Sequence, residues 1–152
     1  MSSHDLPRPR KLYRYAPQAI LERSLSLGEF RLTPEVSVSF LTLSFSSVWD
    51  ERLFDDFSDA NSCLVIHDTE SFGERLHQAT QRLLPNWAGI DAAVAYGAPS
   101  PLGAAFTKDK QLARQKEWLF AWRPMQSRMS VNPVVVTIGN IESIAELRAR
   151  AS

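Results

Sequence analysis

An uncharged stretch at residues 36–46 constrains the fold more than any other part of the sequence. It reads Val-Ser-Val-Ser-Phe-Leu-Thr-Leu-Ser-Phe-Ser, so apolar and small polar side chains nearly alternate. Period-two alternation with β-branched and aromatic residues is typical of a strand that has one buried face. We therefore predict one or two strands here, and a sheet to which they belong.

Further strands and helices are predicted along the rest of the chain. Short apolar stretches predict strands at residues 11–15, 30–32, 62–67, 92–96, 115–122 and 133–138. Helical spacing and capping residues predict helices from Pro17 to Gly28, over 48–57, after a cap at Thr69, over 109–113, and after a cap at Asn140. Because strands and helices do not alternate strictly, we predict an α+β fold with an antiparallel or mixed, split β-sheet flanked by helices.

The length of 152 residues fits a single domain, and 44% apolar with 22% charged residues is an ordinary globular composition. Residues 1–10 contain two prolines among charged and small side chains, which neither helix nor sheet favours. We predict a flexible leader over residues 1–10 and one domain over residues 11–150.

The chain has one cysteine, Cys63, so an internal disulfide and a thiolate metal cluster are both excluded. The histidines have no metal-ligand spacing, and we predict no metal site. No apolar stretch is long enough for a membrane helix, and the first residues lack a signal-peptide core. These features predict a cytoplasmic protein that does not enter a membrane.

Acidic and basic residues balance overall, with 17 of each, but not locally. The charged residues of 108–128 are mostly basic and residues 50–59 are strongly acidic, which suggests polar ends of opposite sign. The basic stretch could contact nucleic acid, although the neutral total charge does not favour it.

Polar side chains that could share one ligand lie on separate predicted strands. In chain order they are Tyr13, Arg14, Tyr15, Ser44, Ser46, Gln115 and Glu117. Strand alternation would place Gln115 and Glu117 on one face, with the aromatic residues of the same strand on the other. That aromatic face is either part of the core or a platform for stacking bases, and core is the commoner arrangement.

This order of motifs resembles the ADP-ribosyltransferase superfamily. Its Arg–Ser–Glu members carry Arg or His on the first strand, a Ser-x-Ser type strand second, and Gln-x-Glu or Glu-x-Glu late. Arg14, the Ser44–Ser46 pair and the Gln115–Glu117 pair occur in that order. The opening strand, helix and Gly28 are also similar to the start of that fold.

A closer resemblance, from Lys11 to Leu147, is to a family of bacterial and phage-encoded proteins of uncharacterised function. Those proteins open with Leu-Tyr-Arg/Lys-Tyr and carry a late Lys before Gln/Glu-Lys-Glu-Tyr/Trp-Arg. The matching positions here are 12–15, 43–46, 63–66, 106–108 and 115–118. This chain has Leu119 where the family usually has Arg, which removes one charge.

The resemblance implies that NAD is the substrate and that ADP-ribose is transferred to a macromolecule, expected to be a protein. Glu117 would stabilise the positive charge that develops on the ribose, and Arg14 would bind the pyrophosphate or ribose. Ser44 or Ser46 would hold the nicotinamide ribose, and Gln115 would orient the nucleophile. Tyr13 or Tyr15 would stack on the nicotinamide ring.

Two alternatives remain open from the sequence. Arg14 and Glu117 could form a structural ion pair, and the serines could be ordinary residues of a half-exposed strand. The chain could also be a non-catalytic phage or mobile-element protein that binds and inhibits a host complex through one of its charged stretches.

Overall fold

The structure is a computed structural model, and it describes residues 7–35, 39–126 and 131–151. The helices are α1 (Gln18–Leu27), α2 (Leu53–Asp56) and α3 (Thr69–Leu83). The strands are β1 (Leu12–Ala16), β2 (Glu29–Glu35), β3 (Phe40–Ser46), β4 (Ser62–Ile66), β5 (Trp87–Ala93), β6 (Ala95–Tyr96), β7 (Thr107–Lys108), β8 (Glu117–Pro124), β9 (Val134–Thr137) and β10 (Ala145–Ala149). Two 3₁₀ helices, Ala104–Phe106 and Lys110–Gln115, flank β7. The fold is α+β, as predicted.

The main sheet has eight strands, and its pairings among the described residues are antiparallel. The path runs β10-β4-β1-β3-β2-β9, while β8 pairs with the opposite edge of β3 and carries β5 beyond it. Strands β6 and β7 form a separate parallel pair, here called the small sheet. The predicted antiparallel sheet is therefore confirmed in its general form.

Strands β1 and β2 share one edge of β3 and leave part of it uncovered. β2 pairs with the first half of β3 up to Thr42, whereas β1 meets it through a single register pair, Tyr13 with Ser46. The other edge of β3 is paired with β8 from Leu41 to Ser46. Between the ends of β1 and β2, the described part of the chain places no strand beside residues 43–45. We call this opening the split.

Apolar packing covers both faces of the sheet. On one face, α1 and α3 pack over a core that includes Leu21, Phe72 and Phe120. The opposite face carries two smaller clusters, one around Tyr15 and Phe54 near α2. The other surrounds Phe106 and Leu119, beneath the loop that precedes β7. The split lies between these two smaller clusters.

The first helix agrees with its sequence signals at its C-terminus. Gly28 has a left-handed φ of 65°, and its N–H donates to the carbonyl of Ser24 at 2.9 Å. A Cβ at Gly28 would lie 2.2 Å from the carbonyl oxygen of Gly139, so only glycine fits this position. The helical spacing of Ile20, Leu21 and Leu27 predicts one apolar face, but Leu21 is buried while Ile20 and Leu27 are exposed, so the buried face is narrower than that spacing predicts.

The helix predicted after Asn140 is wrong. Residues 145–149 instead form β10, which pairs with β4 from Ala145 opposite Ile66 to Ala149 opposite Ser62. The Asn140 side chain does accept a hydrogen bond, from the Glu142 N–H at 2.9 Å, but it begins a turn. Pairing with β10 gives hydrogen-bond partners to the backbone groups at the edge of β4. Local helix propensity does not include this long-range pairing, so the tertiary contact decides the conformation of residues 145–149.

Other predicted boundaries need correction. The helix expected over 48–57 is limited to α2, and the strand expected at 92–96 begins at Trp87 and divides at Val94. Asp68, rather than Thr69, caps α3 by accepting from the Ser71 N–H at 3.0 Å. Residues 36–38 of the predicted 36–46 strand, and residues 1–6 of the predicted leader, lie outside the described residues.

The last part of the predicted leader contacts the folded domain. Arg8 is bonded to Asp91 through Nε at 2.7 Å and Nη2 at 2.9 Å, and to Glu70 at 2.9 Å. The Thr69 hydroxyl donates to the carbonyl of Pro9 at 2.7 Å. Residues 8 and 9 are therefore attached to α3 and β5.

Candidate functional site

A cavity of about 110 Å³ lies at the split, where β1 and β3 diverge. Its walls come from β1, β3, the end of α2 and the start of β8. The lining residues are Tyr13, Arg14, Tyr15, Ser44, Phe45, Ser46, Phe57, Gln115 and Glu117. Every candidate named from the sequence is in this set, so the fold brings residues from separate elements to one place. We call it the split cavity.

Arg14 crosses the split from β1 to β3. Its Nη1 donates to the carbonyl oxygen of Ser44 at 2.9 Å, on the edge of β3 that faces the split. Burial lowers the pKa of Arg14 to about 10, which leaves the guanidinium charged at neutral pH. A guanidinium has five N–H donors, so most of its bonding capacity is unused by the described residues.

Glu117 is the first residue of β8 and is only 4% exposed. Its Oε1 accepts from Lys108 Nζ at 2.6 Å, and its backbone N–H donates to the Tyr96 hydroxyl at 2.9 Å. Its Oε2 is buried and has no hydrogen-bond partner among the described residues. A buried carboxylate oxygen without a donor lowers the stability of the fold, so its presence needs an explanation, and a role in the chemistry of the site is one.

Arg14 and Glu117 do not pair with each other, although both line the split cavity. The ion pairs among the described residues assign Glu117 to Lys108 and none to Arg14. The structural Arg–Glu pair that the sequence left open is therefore not formed. Both residues therefore line one cavity without neutralising each other.

The two candidate serines differ. The Ser46 hydroxyl donates to the carbonyl of Gln115 at 2.6 Å and accepts from the Val48 N–H at 3.2 Å, so it fastens β3 to its neighbouring loops. The Ser44 hydroxyl has no hydrogen bond to any described residue and is partly exposed. Of the pair, Ser44 is the one free to contact a ligand.

The tyrosines also differ in availability. The Tyr15 hydroxyl donates to the carbonyl of Val48 and accepts from the Asp50 N–H, both at 2.9 Å, and burial raises its pKa. Its ring stacks on Phe57 at 6.1 Å, forming an aromatic wall of the cavity. Tyr13 is half-buried, with its ring edge-on to Trp49 at 6.4 Å. Tyr13 therefore has the freer ring and hydroxyl.

Gln115 lies in a 3₁₀ helix, so the prediction that it shares a strand face with Glu117 is wrong. Lys116 between them has a left-handed φ of 41°, which breaks the expected alternation. The Gln115 amide donates weakly to Asp56 at 3.4 Å, and Arg114 also contacts Asp56. Gln115 still lines the cavity, but a turn brings it there. The aromatic face opposite Glu117, with Trp118, Phe120 and Trp122, is core.

Sequence reasoning missed Lys108 and Tyr96, which belong to the small sheet and contact Glu117. The sequence feature that could have indicated Lys108 is the motif at 106–108, because Lys108 lies nine positions before Glu117, whose carboxylate it binds. No local pattern marks Tyr96, because a parallel pairing between Tyr96 and Lys108 brings it to β8.

A second buried polar cluster surrounds Asp91 on β5. Its carboxylate accepts from Arg8, from the Trp118 indole N–H at 2.8 Å, and pairs with His77 at 2.8 Å. Burial would raise the pKa of Asp91, but the hydrogen bonds from His77, Arg8 and Trp118 outweigh it and lower that pKa to about 2. Every acceptor is used, so this cluster is structural.

The two charged stretches touch instead of lying at opposite ends. Arg114 of the basic stretch pairs with Asp56 of the acidic one, and Lys108 is paired with Glu117. Within the acidic stretch, Asp55 also pairs with Arg150 at 3.0 Å. The expectation of separate ends of opposite sign is wrong, because part of each stretch is neutralised within the domain.

A scan against protein-family models, a search of curated proteins and a search of solved structures each find no match to this chain. The described residues contain no cluster of His, Cys, Asp or Glu suited to a metal ion. They also contain no helix both long and apolar enough to cross a membrane. The function proposed below is therefore inferred from the geometry of the split cavity.

Proposed function

We propose that the chain binds the nicotinamide–ribose end of NAD in the split cavity and transfers ADP-ribose to a protein. The observation that supports this most is the buried Glu117 carboxylate, whose Oε2 lacks a partner in the part of the chain that the structure describes, beside a cavity that Arg14 also lines. A ligand with both donors and acceptors would satisfy the two charged groups together.

The volume of the cavity limits which part of NAD it can hold. A cavity that binds one benzene ring measures roughly 150 Å³, so the split cavity, at about 110 Å³, is too small to enclose a whole ring and its ribose together. Only part of the nicotinamide–ribose end would enter the cavity, where Arg14, Ser44 and Glu117 could contact it, and the rest of the dinucleotide would lie outside. The Tyr15 and Phe57 rings offer an apolar wall to a planar group.

In the proposed reaction, the bond between the ribose C1′ and the nicotinamide nitrogen breaks, and nicotinamide leaves with the electron pair. Positive charge builds on the ribose, and the Glu117 carboxylate stabilises it more than it stabilises the bound substrate. A nucleophilic side chain of the acceptor then bonds to C1′ and releases its proton. Arg14 and the Ser44 hydroxyl would orient acceptor oxygens of the ribose or pyrophosphate.

We also propose, as part of the same hypothesis, that the fold is similar to that of the ADP-ribosyltransferases. Its support is the split in an antiparallel sheet, with Arg14 on the first strand and Glu117 at the start of a late one. A cytoplasmic location also remains a proposal. The alternative, in which one of the charged stretches binds a host complex, is less well supported. Part of each stretch forms ion pairs within the domain.

Release of nicotinamide from NAD, in the presence of a cell lysate as a source of acceptors, tests the proposal. We expect Glu117→Gln to lower the rate by about 100-fold or more, the scale of losing one transition-state electrostatic contact. The exposed Glu74 has no partner among the described residues, so Glu74→Gln is the matched control and should keep wild-type activity.

NAD should also raise the melting temperature of the wild type. With a Kd of about 0.1 mM, 1 mM NAD would add about 1.4 kcal/mol, which corresponds to a rise of about 3–5 °C. A wild-type chain with neither nicotinamide release nor a shifted melting curve would contradict the proposal.

A further inference from the structure

The small sheet holds Glu117 at two points. Lys108 on β7 binds Oε1 at 2.6 Å, and Tyr96 on β6 accepts the backbone N–H at 2.9 Å. Tyr96 and Lys108 are register partners, so the two contacts come from one rigid unit. The side chain and the backbone of Glu117 are therefore fixed by the same element.

The small sheet is itself anchored. The Gly97 N–H donates to the carbonyl of Lys108 at 2.9 Å, and the Thr107 hydroxyl donates to the carbonyl of Gly103 at 3.0 Å. The preceding Phe106 is buried beside β8. Lys108 is held where it can reach one carboxylate oxygen, and it does not line the split cavity.

Resting on the proposed function, we propose that Lys108 is a positioning residue that keeps Glu117 from pairing with Arg14 across the split cavity. Opposite charges in a poorly solvated site attract strongly. Without the Lys108 contact, Glu117 would be free to turn toward Arg14, and an ion pair between them would fill the space that a ligand needs. Lys108 holds Oε1 and leaves Oε2 for the substrate.

The test measures kcat and KM for nicotinamide release from NAD in Lys108→Met, Lys108→Arg and the wild type. We expect Lys108→Met to lower kcat by about 10- to 100-fold, as misplacement of a reacting group does, while Lys108→Arg restores most of it. Lys110→Met is the matched control, because Lys110 is exposed and no described residue pairs with it. It should behave like the wild type.

Each outcome decides between the two proposals. An active wild type with unchanged kcat in Lys108→Met would overturn the role of Lys108 and leave the proposed function intact. An inactive wild type would overturn both. A purely structural role would lower the melting temperature of Lys108→Met without changing the kcat of the folded protein. Should Lys108→Met fail to fold, Lys108→Gln replaces it under the same criteria.

Discussion

Arg14 is a half-buried charged side chain that makes one hydrogen bond to the described residues, to the carbonyl of Ser44. A buried charge without an opposite charge beside it lowers stability, because desolvation is not offset by attraction. A residue placed this way is better explained by what it binds than by what it stabilises.

We predict that Arg14→Met leaves the free energy of unfolding unchanged or raises it by about 1 kcal/mol, because it removes an unpaired, half-buried charge. The same variant should lose NAD-dependent stabilisation. Urea unfolding with and without NAD measures both effects. Arg31→Met, at an exposed position on β2, is the control. A fall in stability of more than about 2 kcal/mol would show that Arg14 is structural.

At the scale of elements, the Asp91 carboxylate on β5 joins three other parts of the chain, which are the segment before β1, helix α3 and strand β8. Arg8, His77 and Trp118 all bond to it, and glycines make room for them. A Cβ at Gly73 would lie 2.3 Å from Cζ of Arg8, and one at Gly89 would lie 2.8 Å from Nδ1 of His77. Since Trp118 follows Glu117, this cluster also fixes the start of β8.

The pKa of Asp91 predicts an acid-sensitive contribution to stability. Its folded-state pKa is about 2, below the unfolded value of about 3.9, so the contribution is complete above about pH 4 and lost as the pH falls through 2. The difference of roughly two pKa units corresponds to at most about 2–3 kcal/mol.

Unfolding of Asp91→Asn measured between pH 7 and about pH 2 checks this expectation. The variant should be less stable than the wild type at neutral pH, and the two should converge as the pH approaches 2. Asp59→Asn is the control, because Asp59 is exposed and contacts no described partner. A gap between Asp91→Asn and the wild type that persists at low pH would contradict the role of the carboxylate.

For the whole molecule, Cys63 reports on global opening. It lies on β4, between β1 and β10, with 0% exposure, and burial raises the pKa of its thiol to about 12. We predict no reaction with a thiol reagent in the native state, and labelling at the rate of global unfolding as denaturant is added. Rapid labelling under native conditions would show that the sheet opens locally at β4.

The sequence by itself determined the α+β class, most strand positions and the chemical identity of the candidate residues. Alternation and capping are local, so β3, β4, α1 and α3 could be predicted from neighbouring side chains. The stretch at 145–149 could not, since its conformation depends on the unpaired edge of β4, which is distant in sequence.

Tertiary structure alone decided how the candidate residues are used. Only the register of β1, β3 and β8 could show that Arg14 and Glu117 line one cavity without pairing. Only the small sheet could assign Lys108 to Glu117, and only loop contacts could separate the engaged Ser46 from the free Ser44. The reason is physical: an ionic or hydrogen-bond partner is chosen by distance in space, which sequence spacing does not specify.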